Sequence, residues 1–204
     1  MEKHQNSDDL VTLIPKKILT GKQRKLIGSS AERYFAKLIR EVWKQEYCMT
    51  TRFNSKFLDK CGIDFDNVPF RLQLKAGNQK GMRPVLELMY VHQQSIACMA
   101  PDSEWLKKPK ILIHHKTNSI GRNKSDGFNR VYMTFTDFDT LIKKNEELVG
   151  TIPYQLMTNK EKTDSEFDVL VVLDLDSLTK IITTIFPPHL KPIQNDSQIN
   201  KQGS

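Results

Sequence analysis

Residues 62–77, GIDFDNVPFRLQLKAG, decide how the rest of the chain is read. Gly62 opens the stretch as a turn residue would, Asp64 follows two positions later, and an extended run then carries Gln73 and Lys75. Phe70, Leu72, Leu74 and Ala76 alternate with Arg71, Gln73 and Lys75, the period-two pattern of a β-strand with one apolar and one polar face. Ile63 and Phe65 flank Asp64 as strand residues do. A hairpin-like return across Asp66–Pro69 would bring Asp64 beside the Gln73–Lys75 pair.

Those three groups suit phosphodiester hydrolysis. A carboxylate and an amide oxygen are hard ligands appropriate to Mg²⁺ (or Mn²⁺), which prefers octahedral oxygen and retains several waters. A metal so held lowers the pKa of a bound water and neutralises charge on the phosphate. A lysine one pleat away can position the water and stabilise charge in the transition state.

Outward from this stretch the chain reads as alternating elements. SSAERYFAKLIREVWKQE (29–46) has Ala31, Phe35, Leu38, Ile39 and Val42 at helical spacing, and Ser29 with Glu32 three residues on matches a capping box. YCMTTRF (47–53) reads as a strand, NSKFLDKCG (54–62) as a connection, and GNQKG (77–81) as a turn. A helix is expected from Pro84 to about Ala100, with Val85, Leu88, Met89, His92, Ile96 and Met99 on one face. KILIHHK (110–116) and RVYMTF (130–135) read as strands around a basic loop. TDFDTLIKK (136–144) reads as a helix. EFDVLVVLDLD (166–176) is a buried strand feeding the helix SLTKIITTIF (177–186), which Pro187 and Pro188 end. The order implies an α/β domain with a mixed sheet.

GID followed by FRLQLKAG resembles the PD-(D/E)xK nuclease superfamily, in the Gln-x-Lys arrangement seen among its methyl-directed restriction endonucleases. The superfamily also contains type II restriction enzymes and Holliday-junction resolvases. The resemblance covers about residues 29–116. It implies a restriction-endonuclease-like mixed β-sheet flanked by helices, with C-terminal αβ additions, and a metal-dependent DNA endonuclease acting on branched or duplex DNA in recombination or repair. It also implies roles: Asp64 and Gln73 as metal ligands, Lys75 positioning water, and Glu32, on the first helix, as an auxiliary acid and further ligand. Gln73 supplies no charge where the common pattern has an acid. The same residues therefore also fit a nuclease-fold DNA-binding protein that does not cleave, or a structural, partner-binding α/β protein whose polar strand face is coincidental.

The domain is expected over residues 29–190, after a basic arm (1–28) and before a polar tail (191–204). The 204 residues carry a formal net charge of +7, with 31 Lys and Arg against 24 Asp and Glu, and the pI is about 9.2. That balance favours an anionic partner, DNA above all. Lys22, Arg24 and Lys25 in the arm, with Arg122 and Lys124 in the basic loop, are the candidate phosphate contacts. A homodimer would place two sites on a duplex or junction.

No apolar run approaches the roughly 20 residues of a membrane span, and no secretory signal opens the chain. Cys48, Cys61 and Cys98 lack paired metal spacing and read as buried hydrophobes of a reducing, cytoplasmic compartment, the host cytoplasm of a phage included.

Each candidate also has a plainer reading. Gln73 and Lys75 fit the solvated face of an amphipathic strand, Glu32 a helix cap, Asp64 a turn formed with Asp66 and Asn67, and Glu87 an exposed helical glutamate. His114 and His115, adjacent on a strand, point to opposite faces and cannot clasp one metal. VVLDLDSLT resembles the Asp-x-Asp strand of haloacid-dehalogenase phosphatases, but too little chain follows for that fold. Asp174 and Asp176 read as strand-end and helix-cap residues.

Overall fold

The computed structural model describes residues 20–77, 82–116, 128–159 and 165–188. A long helix α1 (Gly21–Glu41) leads to a two-residue strand β1 (Met49–Thr50), short helices α2 (Thr51–Asn54) and α3 (Lys56–Lys60), strand β2 (Phe65–Asp66) and strand β3 (Arg71–Ala76). Helix α4 (Pro84–Cys98), the single turn α5 (Glu104–Lys107) and strand β4 (Lys110–Lys116) follow. Strand β5 (Phe128–Thr134), helix α6 (Phe135–Ile142), a 3₁₀ turn (Glu146–Leu148), strands β6 (Gln155–Thr158) and β7 (Val169–Leu173), and helix α7 (Leu175–Ile185) complete the order.

Five strands form one mixed sheet in the order β3-β4-β5-β7-β6. β3 and β4 are parallel, joined through α4, and every other pairing is antiparallel. β1 and β2 pair antiparallel as a separate ribbon.

Strand alternation sorts side chains onto two faces. Leu72, Leu74, Ile111, Ile113, Val131, Met133, Val171 and Leu173 pack with Phe35, Ile39, Phe138, Leu141, Leu178 and Ile181, so α1, α6 and α7 cover one face. Leu112, Tyr132 and Leu170 meet Val85 and Leu88 of α4 on the other. Gln73 lies in register with Leu112, and Lys75 with His114. The polar side of β3 is therefore not solvated but lies beneath α4. Arg71 is only 2% exposed and Gln73 7%.

Several elements depart from the sequence pattern. α1 begins eight residues before Ser29, because Thr20 forms the capping box with Gln23: the Gln23 N–H donates to Thr20 Oγ1 at 3.3 Å and the Thr20 N–H to Gln23 Oε1 at 2.9 Å. Two similar signals compete here, and the earlier one starts the helix, so Glu32 is not a capping residue. YCMTTRF supplies only two strand residues; Thr51–Asn54 turns into α2 because the Thr51 side chain and N–H both bond back to the 63–64 backbone. NSKFLDKCG, expected as a connection, contains α3, capped by Ser55 on the Leu58 N–H. β6 carried no strand pattern. On α4, Val91 and Ser95 are buried while Ile96 is exposed, so the covered stripe is rotated from the expected one.

Other expectations hold. Asp174 caps α7 through the Ser177 N–H at 2.7 Å. Asn67, in the left-handed region at φ 57°, and Asp66, whose Oδ1 accepts the Asn67 N–H at 2.7 Å, make the β2–β3 turn, which leaves Asp64 free of that duty. Cys48 and Cys61 are buried thiols and Cys98 is half-buried.

Candidate functional site

Asp64 sits on the open edge of β3. Its N–H donates to the Leu72 carbonyl at 2.9 Å and its carboxylate Oδ2 accepts the Leu74 N–H at 2.6 Å. The carboxylate thus grips the backbone between Gln73 and Lys75, the pair named with it from the sequence. Gly62 makes this approach workable: at φ 74° it adopts a conformation suited to glycine, and a Cβ there would lie 3.4 Å from Val91 Cγ2.

Burial raises the Asp64 carboxyl to about 7; the Leu74 amide lowers it, the Glu32 charge raises it, Lys75 lowers it and Asp59 raises it. Glu32, Lys75 and Asp59 are therefore all electrostatic neighbours of Asp64. An acid so placed changes protonation near neutrality.

Glu32 is itself buried, at 7% exposure. Its Oε1 accepts from Arg52 Nη2 at 2.7 Å, while Arg52 Nη1 donates to Ser29 Oγ at 2.9 Å. Burial pushes the Glu32 carboxyl up; Arg52 opposes this, Asp59 adds to it and Arg33 opposes it. Lys75 is half-buried and its ammonium pairs with Glu87 Oε2 at 3.0 Å. Glu87 is thus not the exposed helical residue that its sequence position suggests. It lies in the first turn of α4, within reach of Lys75 on β3.

Gln73, next to Leu74 on β3, is in an unusual state. Its Oε1 is buried with no hydrogen-bond partner, a cost on the order of 1–3 kcal/mol for an amide oxygen. A donorless oxygen and a desolvated carboxylate are both groups that a hard cation would satisfy. The donor chemistry therefore fits Mg²⁺ with Asp64 and Gln73 as holders, and Glu32 would join only on release from Arg52. Among the described residues, no three His, Cys, Asp or Glu side chains form a metal-holding group.

The remaining expected contacts divide. Lys22, Arg24 and Lys25 are exposed on the first turns of α1, so they ride on a helix rather than a loose arm. Arg122 and Lys124 lie outside the described residues. His114 and His115 take opposite faces as expected: His114 Nε2 bonds the Gly77 carbonyl at 3.2 Å, and His115 stacks against Tyr34 of α1 and bonds Asn129 Oδ1 at 2.7 Å.

A second polar centre lies at the other end of β3 and β4. Lys110, buried, pairs with Asp137 at 3.3 Å and Glu166 at 3.2 Å, and His92 of α4 lies 3.8 Å from Glu166. Burial, then Lys110, lowers the His92 imidazole, Glu166 raises it, Arg71 lowers it and Asp137 raises it. Arg71 donates to the carbonyls of Lys108 and Leu106, each at 3.1 Å. This centre is built as a structural lock that ties α5, α6 and the 165–168 turn to the sheet.

Sequence pattern alone missed Arg52 and Asp59. Arg52 is remote in the chain from Glu32, and nothing in local periodicity marks the pairing; Asp59 is a charge neighbour of Asp64 and Glu32. Helices too short for a periodic signal, α2 and α3, carry the two. Compared with models of known protein families and with curated proteins, the chain matches none. Among the described residues no helix is long and apolar enough to cross a membrane.

Proposed function

We propose that this chain is a Mg²⁺-dependent DNA endonuclease of restriction-endonuclease-like fold, with Mn²⁺ able to replace Mg²⁺, acting in the cytoplasm on branched or duplex DNA. The observation that carries the reading is the Asp64 carboxylate bonded to the Leu74 N–H, between Gln73 and Lys75. Support also comes from the orphaned Gln73 oxygen and the +7 charge of the chain.

Asp64 and Gln73 would hold the metal. When bound, Mg²⁺ would acidify a water and offset charge on the scissile phosphate. Asp64, raised to about 7 by burial, would lose its proton as a cation binds, so binding strengthens with rising pH. Lys75 would meet the negative charge that develops on the phosphate, with Glu87 fixing its ammonium at the sheet edge. Arg52 would hold Glu32 as an auxiliary acid. Lys22, Arg24 and Lys25, exposed on α1, would contact phosphates without reading bases. A homodimer would supply two such sites.

The test is a nicking assay on supercoiled, linear and branched DNA across Mg²⁺ and Mn²⁺ titrations, with wild type, Asp64→Ala and Lys75→Ala. Cutting lost in both variants supports the site; equal cutting by all three removes it.

A second reading, DNA binding without cleavage, is favoured by one observation. Two of the three charged neighbours of Asp64 are already paired, Lys75 with Glu87 and Glu32 with Arg52. DNA binding with no metal binding and no cutting under any condition would select it.

A further inference from the structure

Two aromatic side chains stand out of the surface next to the candidate site. Phe53 of α2 is 82% exposed and Phe57 of α3 is 43% exposed. Burying an aromatic ring is favourable, and α2 leaves Phe53 in water.

The neighbours of Phe53 explain why it points outward. The Thr51 N–H donates to the Asp64 carbonyl at 3.0 Å, Arg52 reaches Glu32 and Ser29 on α1, and Asn54 Nδ2 donates to Asp66 Oδ2 at 2.9 Å. Each of these residues is tied inward, and two of the ties end on Asp64 and Glu32 themselves. Phe53 is thus held outward on a backbone fixed to the candidate site. Within residues 51–60, TRFNSKFLDK, Arg52 is engaged by Glu32, and two exposed cations (Lys56 and Lys60) stand against one acid (Asp59). Aromatic faces interleaved with cations match the chemistry of a strand whose bases are free to stack and whose phosphates need neutralising.

We propose that Phe53 and Phe57 form a stacking platform for unpaired bases of a DNA strand beside the candidate site, and so direct the protein to single-stranded or branched DNA. In an intact duplex the base faces are already covered by their neighbours, so this platform adds little there. The inference rests on the nucleic-acid reading above and names the substrate class of the same site.

The experiment is fluorescence anisotropy in EDTA, where cleavage plays no part. The probes are a labelled single strand, a blunt duplex of the same sequence and a forked duplex. Wild type is expected to bind the single strand and the fork more tightly than the blunt duplex. Phe53→Ala and Phe57→Ala should each weaken that binding about tenfold, with little change on the duplex, as expected from about 1–3 kcal/mol per stacked base. Phe53→Tyr, which keeps the ring, should retain it. Equal affinity for the free strand and the fork assigns the platform to single strands, and preference for the fork assigns it to junctions. Single-strand binding unchanged in both alanine variants overturns the platform, and so does tighter binding of the blunt duplex than of either other probe; nicking of duplex would still stand in either case. No binding to any of the three overturns the platform and the DNA reading together.

Discussion

The Asp64 carboxylate accepts the Leu74 N–H at 2.6 Å, joining an acid from before the β2–β3 turn to the strand that carries Gln73 and Lys75. That bond, with the Asp64 N–H on the Leu72 carbonyl at 2.9 Å, brings the acid to the strand, and burial there raises its carboxyl.

Its pH dependence follows in sign. Burial raises the folded-state value from 3.8 to about 7, so the folded protein holds a proton that the unfolded chain has released. Stability contributed by protonated Asp64 is present below the unfolded value and is lost as pH rises towards about 7. Asp64→Asn keeps an oxygen for the Leu74 N–H and removes the buried charge. It should be more stable than wild type at pH 8, by at most about 4 kcal/mol, and gain little at pH 4. Urea unfolding at both values measures this; the same gain at both would show that charge burial is not the cause.

Gln73→Glu places a carboxylate where an orphaned oxygen now sits. Without divalent ions this variant should melt below wild type at neutral pH, because it adds a charge at a buried position. Millimolar Mg²⁺ should raise its melting temperature more than it raises that of wild type. Melting curves with and without Mg²⁺ decide the matter, and an equal response in both proteins would place the cation elsewhere.

Lys75→Ala removes the partner of Glu87 from a half-buried pair. Its effect on folding should stay within about 1 kcal/mol. Loss of cutting should be on the order of 100-fold or more, since the ammonium acts on charge that develops in the transition state. Nicking rates and denaturant midpoints, measured together, separate the two effects.

Lys110→Met tests the second polar centre. It leaves Asp137 and Glu166 facing each other without their shared cation. Breaking a buried pair in this way costs about 3–5 kcal/mol. The loss should appear in urea unfolding, with DNA affinity of the folded protein unchanged.

DNA affinity should fall steeply with salt, since each neutralised phosphate releases counterion. Replacing Lys22, Arg24 and Lys25 together should flatten a plot of log affinity against log salt by about one unit for each phosphate that those side chains neutralise. An unchanged slope would take α1 off the DNA.

Local pattern was enough to identify β3, α4, β4, β5, β7 and α7. Each has a run of alternating or helical apolar spacing that one buried face imposes. It also singled out Asp64, Gln73 and Lys75, because period two puts Gln73 and Lys75 on the same side and Gly62 and Asn67 mark the turns around Asp64. Pattern failed where two signals of equal form competed, as at Thr20 and Ser29, and where an element was shorter than one period, as in α2 and α3. The tertiary structure alone decided the state of the polar groups. α4 covers the side of β3 that looked solvated, and burial raises Asp64. Arg52 and Glu87, each distant in the chain, claim Glu32 and Lys75. Those outcomes depend on which surfaces meet across the sheet, and desolvation and pairing are properties of that meeting rather than of any local run of residues.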